Sequence, residues 1–251
     1  MCVKGRLTGR PDDVIKMARK SKDGSNIPLH IAIIPDGNRR WARTNRLNLV
    51  KGYSAGINKI IDVCIWAQKQ GVKTVSVWAL SSENVKERSR GELSLLYRLY
   101  TRAAYDSGIL KLLQENRAHV RIIGNLSLLP ARLREALKRV ERKTRMYKDL
   151  SINLLVSYGG RDDIEYAVKS VAARGARADA ESIRSNLMTA DVPDVDLIIR
   201  TSGERRLSGF LPWQSNYSEL YFARKNWPDF GKGDLKRAIE AFKRRQRRFG
   251  G

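Results

Sequence analysis

Asp36, Gly37, Asn38, Arg39 and Arg40 follow one another directly in this chain. A carboxylate, an amide and two guanidiniums are more than a tight turn needs. Arg200, Arg205 and Arg206 bracket a second polar cluster, Thr201-Ser202-Gly203-Glu204. Arginine forks and the N–H groups of helix N-termini both suit phosphate oxygens. Helix starts are expected after Asn38 and after Gly203. A carboxylate at the same place suits Mg2+, which usually sits on one or two carboxylates plus substrate phosphates. The chemistry read here is therefore binding of a phosphorylated or diphosphorylated substrate. The standard phosphate motifs are missing: no GxxxxGK[ST], no GxGxxG and no DDxxD occurs. Asp12-Asp13 and Asp162-Asp163 are bare pairs, and the second suits the first turn of a helix. Cys2 and Cys64 make neither a disulfide framework nor a zinc site. His30 and His119 do not stand in the order of a Ser-His-Asp triad.

These clusters need elements to hold them. Six short apolar runs stand at 29–34, 73–80, 119–124, 150–158, 195–200 and 219–223. Several are apolar on both faces, as strands of a parallel sheet covered on both sides must be. Helix-like stretches lie between them at 54–71, 91–116, 129–144 and 161–175, with Gly71 and Gly175 as C-terminal caps. Residues 176–194 read as a surface helix and loop. Alternation of strand and helix gives an α/β domain with a mostly parallel six-stranded sheet flanked by helices. Residues 1–27 read as an N-terminal arm and 28–251 as one domain. Polar clusters follow five of the strands: 36–40, 81–84, 124–125, 159–162 and 201–206. In a parallel sheet all five loops leave on the carboxyl edge, where open α/β sheets bind ligands.

Composition sets the outer bounds. With 251 residues, 42% hydrophobic and 30% charged, the chain can bury a sizeable core. No apolar run reaches the ~20 residues of a membrane span, and the N-terminus has no apolar signal core. The expected place is the cytoplasm. A net charge of +23 favours anionic partners, although solvated Lys/Arg faces explain part of it. The densest basic cluster is the tail, KRRQRRFGG.

The segment HIAIIPDGNRRWAR (30–43) resembles the first signature of the cis-prenyltransferases, the family of undecaprenyl and dehydrodolichyl diphosphate synthases. ALSSEN (79–84), SYGGRDDI (157–164), RTSGERRLSGFLPWQSNYSELYF (200–222) and the terminal Arg248-Phe249-Gly250 resemble its further motifs, in order. The Pro35 form of the first motif is similar to archaeal members. The resemblance implies cis elongation of an allylic diphosphate, farnesyl or geranylgeranyl diphosphate, by isopentenyl diphosphate. The product would be a long polyprenyl diphosphate used as a glycosyl carrier lipid. It also implies Mg2+, a parallel sheet with an apolar product tunnel, and a homodimer.

Roles follow position by position from that resemblance. Asp36 would hold Mg2+ and assist departure of the allylic diphosphate, with Glu219 sharing the metal. Gly37, Asn38, Arg39 and Arg40 would cradle that diphosphate. Arg200, Arg206 and Ser208 would bind isopentenyl diphosphate. Trp41, Ser81 and Asn84 would line the reacting ends, with Arg88 in the family's arginine place. Arg248 and Gly250 would reach a neighbouring subunit's site. Tunnel walls are expected from Leu93, Leu95, Leu96, Tyr97, Leu99 and Tyr100. The slightly long 92–122 segment resembles longer-product members.

The chain departs from the family pattern at Tyr53, usually His, at Leu49, usually Arg, and at Val85, where Trp is usual. Gly209 and Pro212 replace a common Asn and Leu. The isopentenyl half is therefore expected intact and the allylic half altered. Two other jobs within the family remain open: a short-chain or irregular coupling enzyme, and the catalytic subunit of a heteromer. A basic nucleic-acid-binding protein is the distant alternative, and the chain lacks the basic-and-aromatic pattern of the common RNA folds. Peripheral docking on anionic membrane through the basic tail and surface is the expectation that the charge adds.

Overall fold

A computed structural model describes residues 26–245 of the chain. The expected arm at 1–27 lies outside the described residues except for its last two. All six expected strands form: β1 (His30–Ile34), β2 (Thr74–Ser81), β3 (Ala118–Ile123), β4 (Leu150–Tyr158), β5 (Leu197–Arg200) and β6 (Glu219–Phe222). They make one sheet in the order β3-β4-β2-β1-β5-β6, with every neighbouring pair parallel.

The strand pattern explains the burial. Along β1, Ile31 and Ile33 enter a core with Val63, Val75, Trp227 and Phe242. Ala32 and Ile34 enter a second core on the other face, with Leu155, Tyr158, Phe210 and Leu211. All four β1 residues are buried. A strand covered on both sides has no polar face to show. His30 is buried as well. Its Nδ1 contacts the carbonyl oxygens of Pro193 and Asp194, and its Nε2 lies 2.8 Å from Ser76 Oγ. Burial pushes its pKa down. These contacts make His30 a neutral strut of the core.

The helices are α1 (Asn38–Thr44), α2 (Leu49–Gln68), α3 (Ser82–Glu87), α4 (Arg90–Tyr105), α5 (Ser107–Glu115), α6 (Ala131–Thr144), α7 (Gly160–Ala173), α8 (Ala180–Asn186) and α9 (Lys232–Lys243). Gly71 and Gly175 do carry the left-handed backbone past α2 and α7, at φ 94° and 61°. The single helix-like stretch at 91–116 proves to be two helices. Asp106 ends α4 with extended backbone, and its carboxylate caps α5 by accepting from Ile109 N at 3.0 Å. The helix start expected after Gly203 is absent. Residues 201–218 cross from β5 to β6 through turns, with Ser202, Gly203, Ser208, Gly209 and Leu211 all at positive φ. Successive left-handed residues cannot continue a right-handed helix.

A third apolar cluster sits outside the two sheet cores. Tyr53 and Ile57 of α2, Leu80 of β2, Leu96 and Tyr100 of α4, and Leu133 and Leu137 of α6 form it. It lies toward the carboxyl end of β2, beside the polar loops.

Candidate active site

The centre of the sheet positions the site. β1 pairs with β2 on one side and with β5 on the other, so the loops after β1, β2 and β5 meet over neighbouring strand ends. They surround a cleft of about 930 Å3. Its polar lining is Asp36, Gly37, Asn38, Arg39, Arg40, Arg43, Ser81, Glu83, Asn84, Glu87, Arg88, Arg200, Ser202, Arg206 and Ser208. Its interior is apolar: Tyr53, Ile57, Ile60, Leu80, Leu96, Tyr100 and Trp227 line it. Three of the five expected loops thus build the cleft directly. The loop after β4 supports it from behind, while the one at 124–125 does not line it. Gly160 N donates to Gly209 O at 3.1 Å, and a side chain at Gly159 would strike Ser82 Oγ at 2.4 Å.

The Asp36 turn is fixed by its neighbours. Thr201 Oγ1 and Trp227 N donate to the Asp36 carbonyl at 2.7 and 2.9 Å. Gly37 has φ 103°, and a Cβ there would meet Asn226 Oδ1 at 2.5 Å. Only glycine fits both limits. α1 then begins at Asn38, leaving its first N–H groups without intrahelical acceptors. α1 packs closely on α2 because α2 carries glycine at 52 and 56. A Cβ on Gly56 would lie 2.1 Å from Asn38 Oδ1, and one on Gly52 would lie 2.8 Å from Ala42 Cβ. Mid-helix glycine costs about 1 kcal/mol relative to alanine, and here it gives room to Asn38.

Most guanidiniums of the mouth meet a carboxylate of the protein itself. Arg200 donates to Asp36 Oδ2 at 2.9 Å, to Arg206 O and to Ser208 Oγ. Its side chain is 6% exposed, while that of Asp36 is 37% exposed. Glu204 bridges Arg40 and Arg206 at 3.2 and 2.5 Å. Those two guanidiniums, Arg206 first, hold the Glu204 carboxyl below its usual range. Arg40 also donates to Ser202 O and Oγ. Ser202 and Ser208 both sit in left-handed backbone, φ 72° and 53°, which is uncommon for residues with a Cβ. Arg200 Nε and Asn38 Oδ1 are buried without a hydrogen-bond partner.

A second network holds the α3–α4 side. Ser81 Oγ caps α3 by accepting from Asn84 N at 2.9 Å. Asn84 Oδ1 accepts from Arg88 Nη2 at 2.9 Å. Arg88 Nη1 donates to Tyr53 Oη at 2.8 Å and to Glu92 Oε1 at 3.0 Å. Tyr53 in turn donates to Glu92. Burial, with the Glu92 hydrogen bond, pushes the Tyr53 pKa up to about 12. Tyr53, where the resemblance led to an expectation of histidine, is therefore bonded into the same network as Asn84 and Arg88.

Six residues expected at the site or in the tunnel wall are not among those lining the cleft: Trp41, Glu219, Leu93, Leu95, Tyr97 and Leu99. Trp41 Nε1 donates to Asp229 Oδ1 at 2.7 Å, and the ring is not part of the wall. Glu219 opens β6 level with Leu197, at the amino end of the strand pair, and its carboxylate accepts from Arg245 at 2.5 Å. Within one chain it is not brought to Asp36, because strand register puts it at the opposite sheet edge. Leu95 and Leu99 pack against the third apolar cluster, while Leu93 and Tyr97 face a separate outer groove. Arg248 and Gly250 lie outside the described residues. Sequence reasoning missed Arg43, which lines the mouth and has no ion pair among the described residues. Its spacing from Arg39, four positions along one helix, was the available signal.

The prenyltransferase family model for undecaprenyl diphosphate synthases matches residues 34–250. A Methanopyrus kandleri protein named tritrans,polycis-undecaprenyl-diphosphate synthase (geranylgeranyl-diphosphate specific) is 44% identical over 93% of this chain and 88% of its own length. A Thermotoga maritima isoprenyl transferase is 41% identical over 90% of this chain and 97% of its own. The crystal structure of lavandulyl diphosphate synthase from Lavandula x intermedia, in complex with dimethylallyl diphosphate, matches with TM-score 0.85 and 34% identity. It covers 90% of this chain and 99% of its own. With its motifs on one cleft and its match spanning nearly the whole chain, the protein belongs to the undecaprenyl diphosphate synthase family of prenyltransferases.

Proposed function

We propose that this prenyltransferase joins isopentenyl diphosphate repeatedly to an allylic diphosphate primer, geranylgeranyl diphosphate, and releases a long polyprenyl diphosphate. The observation that carries the reading is the two-part lining of the cleft, arginine-rich residues at one part and apolar ones at the other. A prenyl diphosphate has that same division into anionic head and hydrocarbon tail. The Methanopyrus relative's name supplies the choice of primer.

In this reading Arg39, Arg40 and the first amides of α1 hold the allylic diphosphate. Arg200, Arg206 and Ser208 hold isopentenyl diphosphate, with Glu204 moving aside from Arg40 and Arg206. Ionisation of the allylic C–O bond puts negative charge on the leaving diphosphate, and fixed guanidiniums stabilise it. Asn38 Oδ1 and Asn84, kept in place by Gly56 and Arg88, orient the reacting ends. The apolar wall of Ile57, Leu80, Leu96 and Tyr100 keeps water from the allylic cation and receives the growing chain.

The donor set fits Mg2+ in one way. No group of three or more His, Cys, Asp or Glu side chains is gathered for a metal among the described residues. Asp36 offers one accessible carboxylate beside the diphosphate-binding arginines, and one carboxylate plus substrate phosphates is a common Mg2+ arrangement. Bound there, the ion would add Lewis-acid stabilisation of the leaving diphosphate. Glu219 is not part of this proposal. The protein is further proposed to act as a homodimer in the cytoplasm and to meet the membrane only peripherally. No described helix is long and apolar enough to cross a membrane.

The test uses purified protein, Mg2+ and radiolabelled isopentenyl diphosphate, with dimethylallyl, geranyl, farnesyl and geranylgeranyl diphosphates in parallel. Long butanol-extractable products, best with geranylgeranyl diphosphate and lost in Asp36→Ala, are the expected result. A product of a single coupling would overturn the elongation reading. No incorporation with any primer would point to a required partner subunit.

A further inference from the structure

A second depression, of about 1060 Å3, lies on the outer side of α4, where α5 and α6 begin. Leu93, Tyr97 and Leu133 make its floor, and Tyr105 stands half-exposed at one end. Arg90, Arg98, Arg102 and Arg132 ring it, all exposed. Here the charge pattern differs from that of the cleft. None of these four arginines has an ion pair among the described residues. Asp106 is the only acidic residue of the lining, and its carboxylate is engaged as the cap of α5. Arg98 makes one long contact, 3.3 Å, to Ser94 Oγ.

The groove also shares a wall with the active-site cleft. Leu96 and Tyr100 of α4 line the cleft. Leu93 and Tyr97, one helical step away, line the groove. Leu133 belongs both to the groove and to the apolar cluster around the cleft. One helix therefore stands between the proposed chain-growth cavity and an exposed basic, aromatic surface.

We propose that this outer face of α4 docks the protein on an anionic lipid bilayer. Charge complementarity selects the occupant: unpaired guanidiniums meet lipid phosphates and carboxylates. Tyrosine and the aliphatic stems of arginine are stable at the headgroup level, where one end is apolar and the other wet. The placement rests on the elongation reading in one respect, since it puts the wall of the product cavity against the phase in which a polyprenyl product is soluble. The site is distinct from the basic tail.

Co-sedimentation of the full chain with phosphatidylcholine vesicles, with and without phosphatidylglycerol, tests this. The wild type should partition strongly only with the anionic lipid. Each basic side chain near an anionic surface contributes about 1 kcal/mol, and three are removed together in Arg98→Gln/Arg102→Gln/Arg132→Gln. That variant should bind at least about tenfold more weakly. A tail variant, Arg244→Gln/Arg247→Gln, should retain most of the binding. Elongation of a water-soluble primer in detergent is measured on the same samples. It should be unchanged in the groove variant, and its failure in the wild type would count against the elongation reading alone. The docking proposal is overturned if the groove variant binds like wild type, or if the tail variant accounts for the whole loss. It is overturned equally if light scattering shows that the groove variant has changed oligomeric state, since a second copy would then be the occupant.

Discussion

Asp36→Asn separates two jobs that the carboxylate performs, and the structure gives each a sign. Without substrate, Asp36 is the internal counterion of Arg200, at 2.9 Å from a guanidinium whose side chain is only 6% exposed. In the proposed function, with substrate and Mg2+ bound, the same carboxylate would hold the metal. Two unit charges at about 4 Å interact by about 4 kcal/mol at an effective dielectric near 20. The carboxylate side is over one-third exposed, and solvent screening brings the effective figure to about 1–2 kcal/mol. Three consequences follow for the variant. Its unliganded form should lose about 1–2 kcal/mol, a fall in Tm of roughly 2–8 °C for a domain of this size. In EDTA it should bind inorganic pyrophosphate about 5- to 30-fold more tightly than wild type, because a repelling charge and a competitor for Arg200 are both gone. Added Mg2+ should reverse that order, tightening wild type far more than the variant. Thermal unfolding without ligand reads the first quantity, and calorimetric titration of pyrophosphate, with and without Mg2+, reads the other two. A variant that binds no more tightly in EDTA, or that gains from Mg2+ as much as wild type does, would refute the assignment of Asp36 to both arginine and metal.

Other perturbations test the remaining parts of the site. Gly56→Ala places a methyl 2.1 Å from the position of Asn38 Oδ1 and 3.2 Å from the Trp227 ring; this overpacking outweighs the gain in helix propensity, so Tm should fall, and kcat in the elongation assay should fall at least about tenfold. Leu96→Trp adds bulk to the apolar wall and should shift products toward shorter chains on reversed-phase thin layers, at a cost of about 1–3 kcal/mol in stability. The Tyr53 phenol has its pKa raised from 10.0 to about 12. A raised folded-state value means that its contribution is complete below pH 10 and is lost as pH rises toward 12. Urea denaturation of Tyr53→Phe should therefore show a flatter decline across that window than wild type, and parallel curves would argue against the Glu92 bond. The same variant removes an acceptor from Arg88, so kcat should fall more than KM rises.

The sheet was legible because parallel strands buried on both faces leave runs such as Ile31 to Ile34, where neither side of the strand is polar. The ends of β1 and β5 were legible as well, since Asp36 and Arg200 follow apolar runs with no other need for charge. What escaped the sequence depended on register and on side-chain reach. Glu219 sits in the most specific motif of the chain, yet strand pairing sets it level with Leu197 rather than with Arg200. Trp41 lies two residues beyond Arg39, and on a helix such a step turns the side chain to another face, where Asp229 holds it. The long helix expected over 91–116 was split by Asp106, whose side chain competes for backbone N–H groups as short polar residues do. At Tyr53, where the resemblance implied an altered allylic half, the side chain enters a connected network with Arg88 and Glu92.

The pairing of charges in the cleft bears on how it can work. Asp36, Glu92 and Glu204 among them contact Arg200, Arg88, Arg39, Arg40 and Arg206. Guanidiniums held in this way are already near a binding geometry, so ordering them costs little when a diphosphate arrives. In the proposed function the exchange would also be reversible, each departing diphosphate giving its place to a carboxylate of the protein rather than to water alone. An enzyme that must release inorganic pyrophosphate after every condensation needs that weaker, restorable grip. Glu204 joins one arginine of the proposed allylic half to one of the isopentenyl half. Its displacement therefore links the filling of one half to the freeing of an arginine in the other. Glu204→Gln should loosen that link: affinity for each diphosphate alone should rise, while the rate of repeated turnover falls as pyrophosphate leaves more slowly. Single-turnover and steady-state elongation rates, compared in the same preparation, distinguish this from damage to chemistry, which would lower both equally.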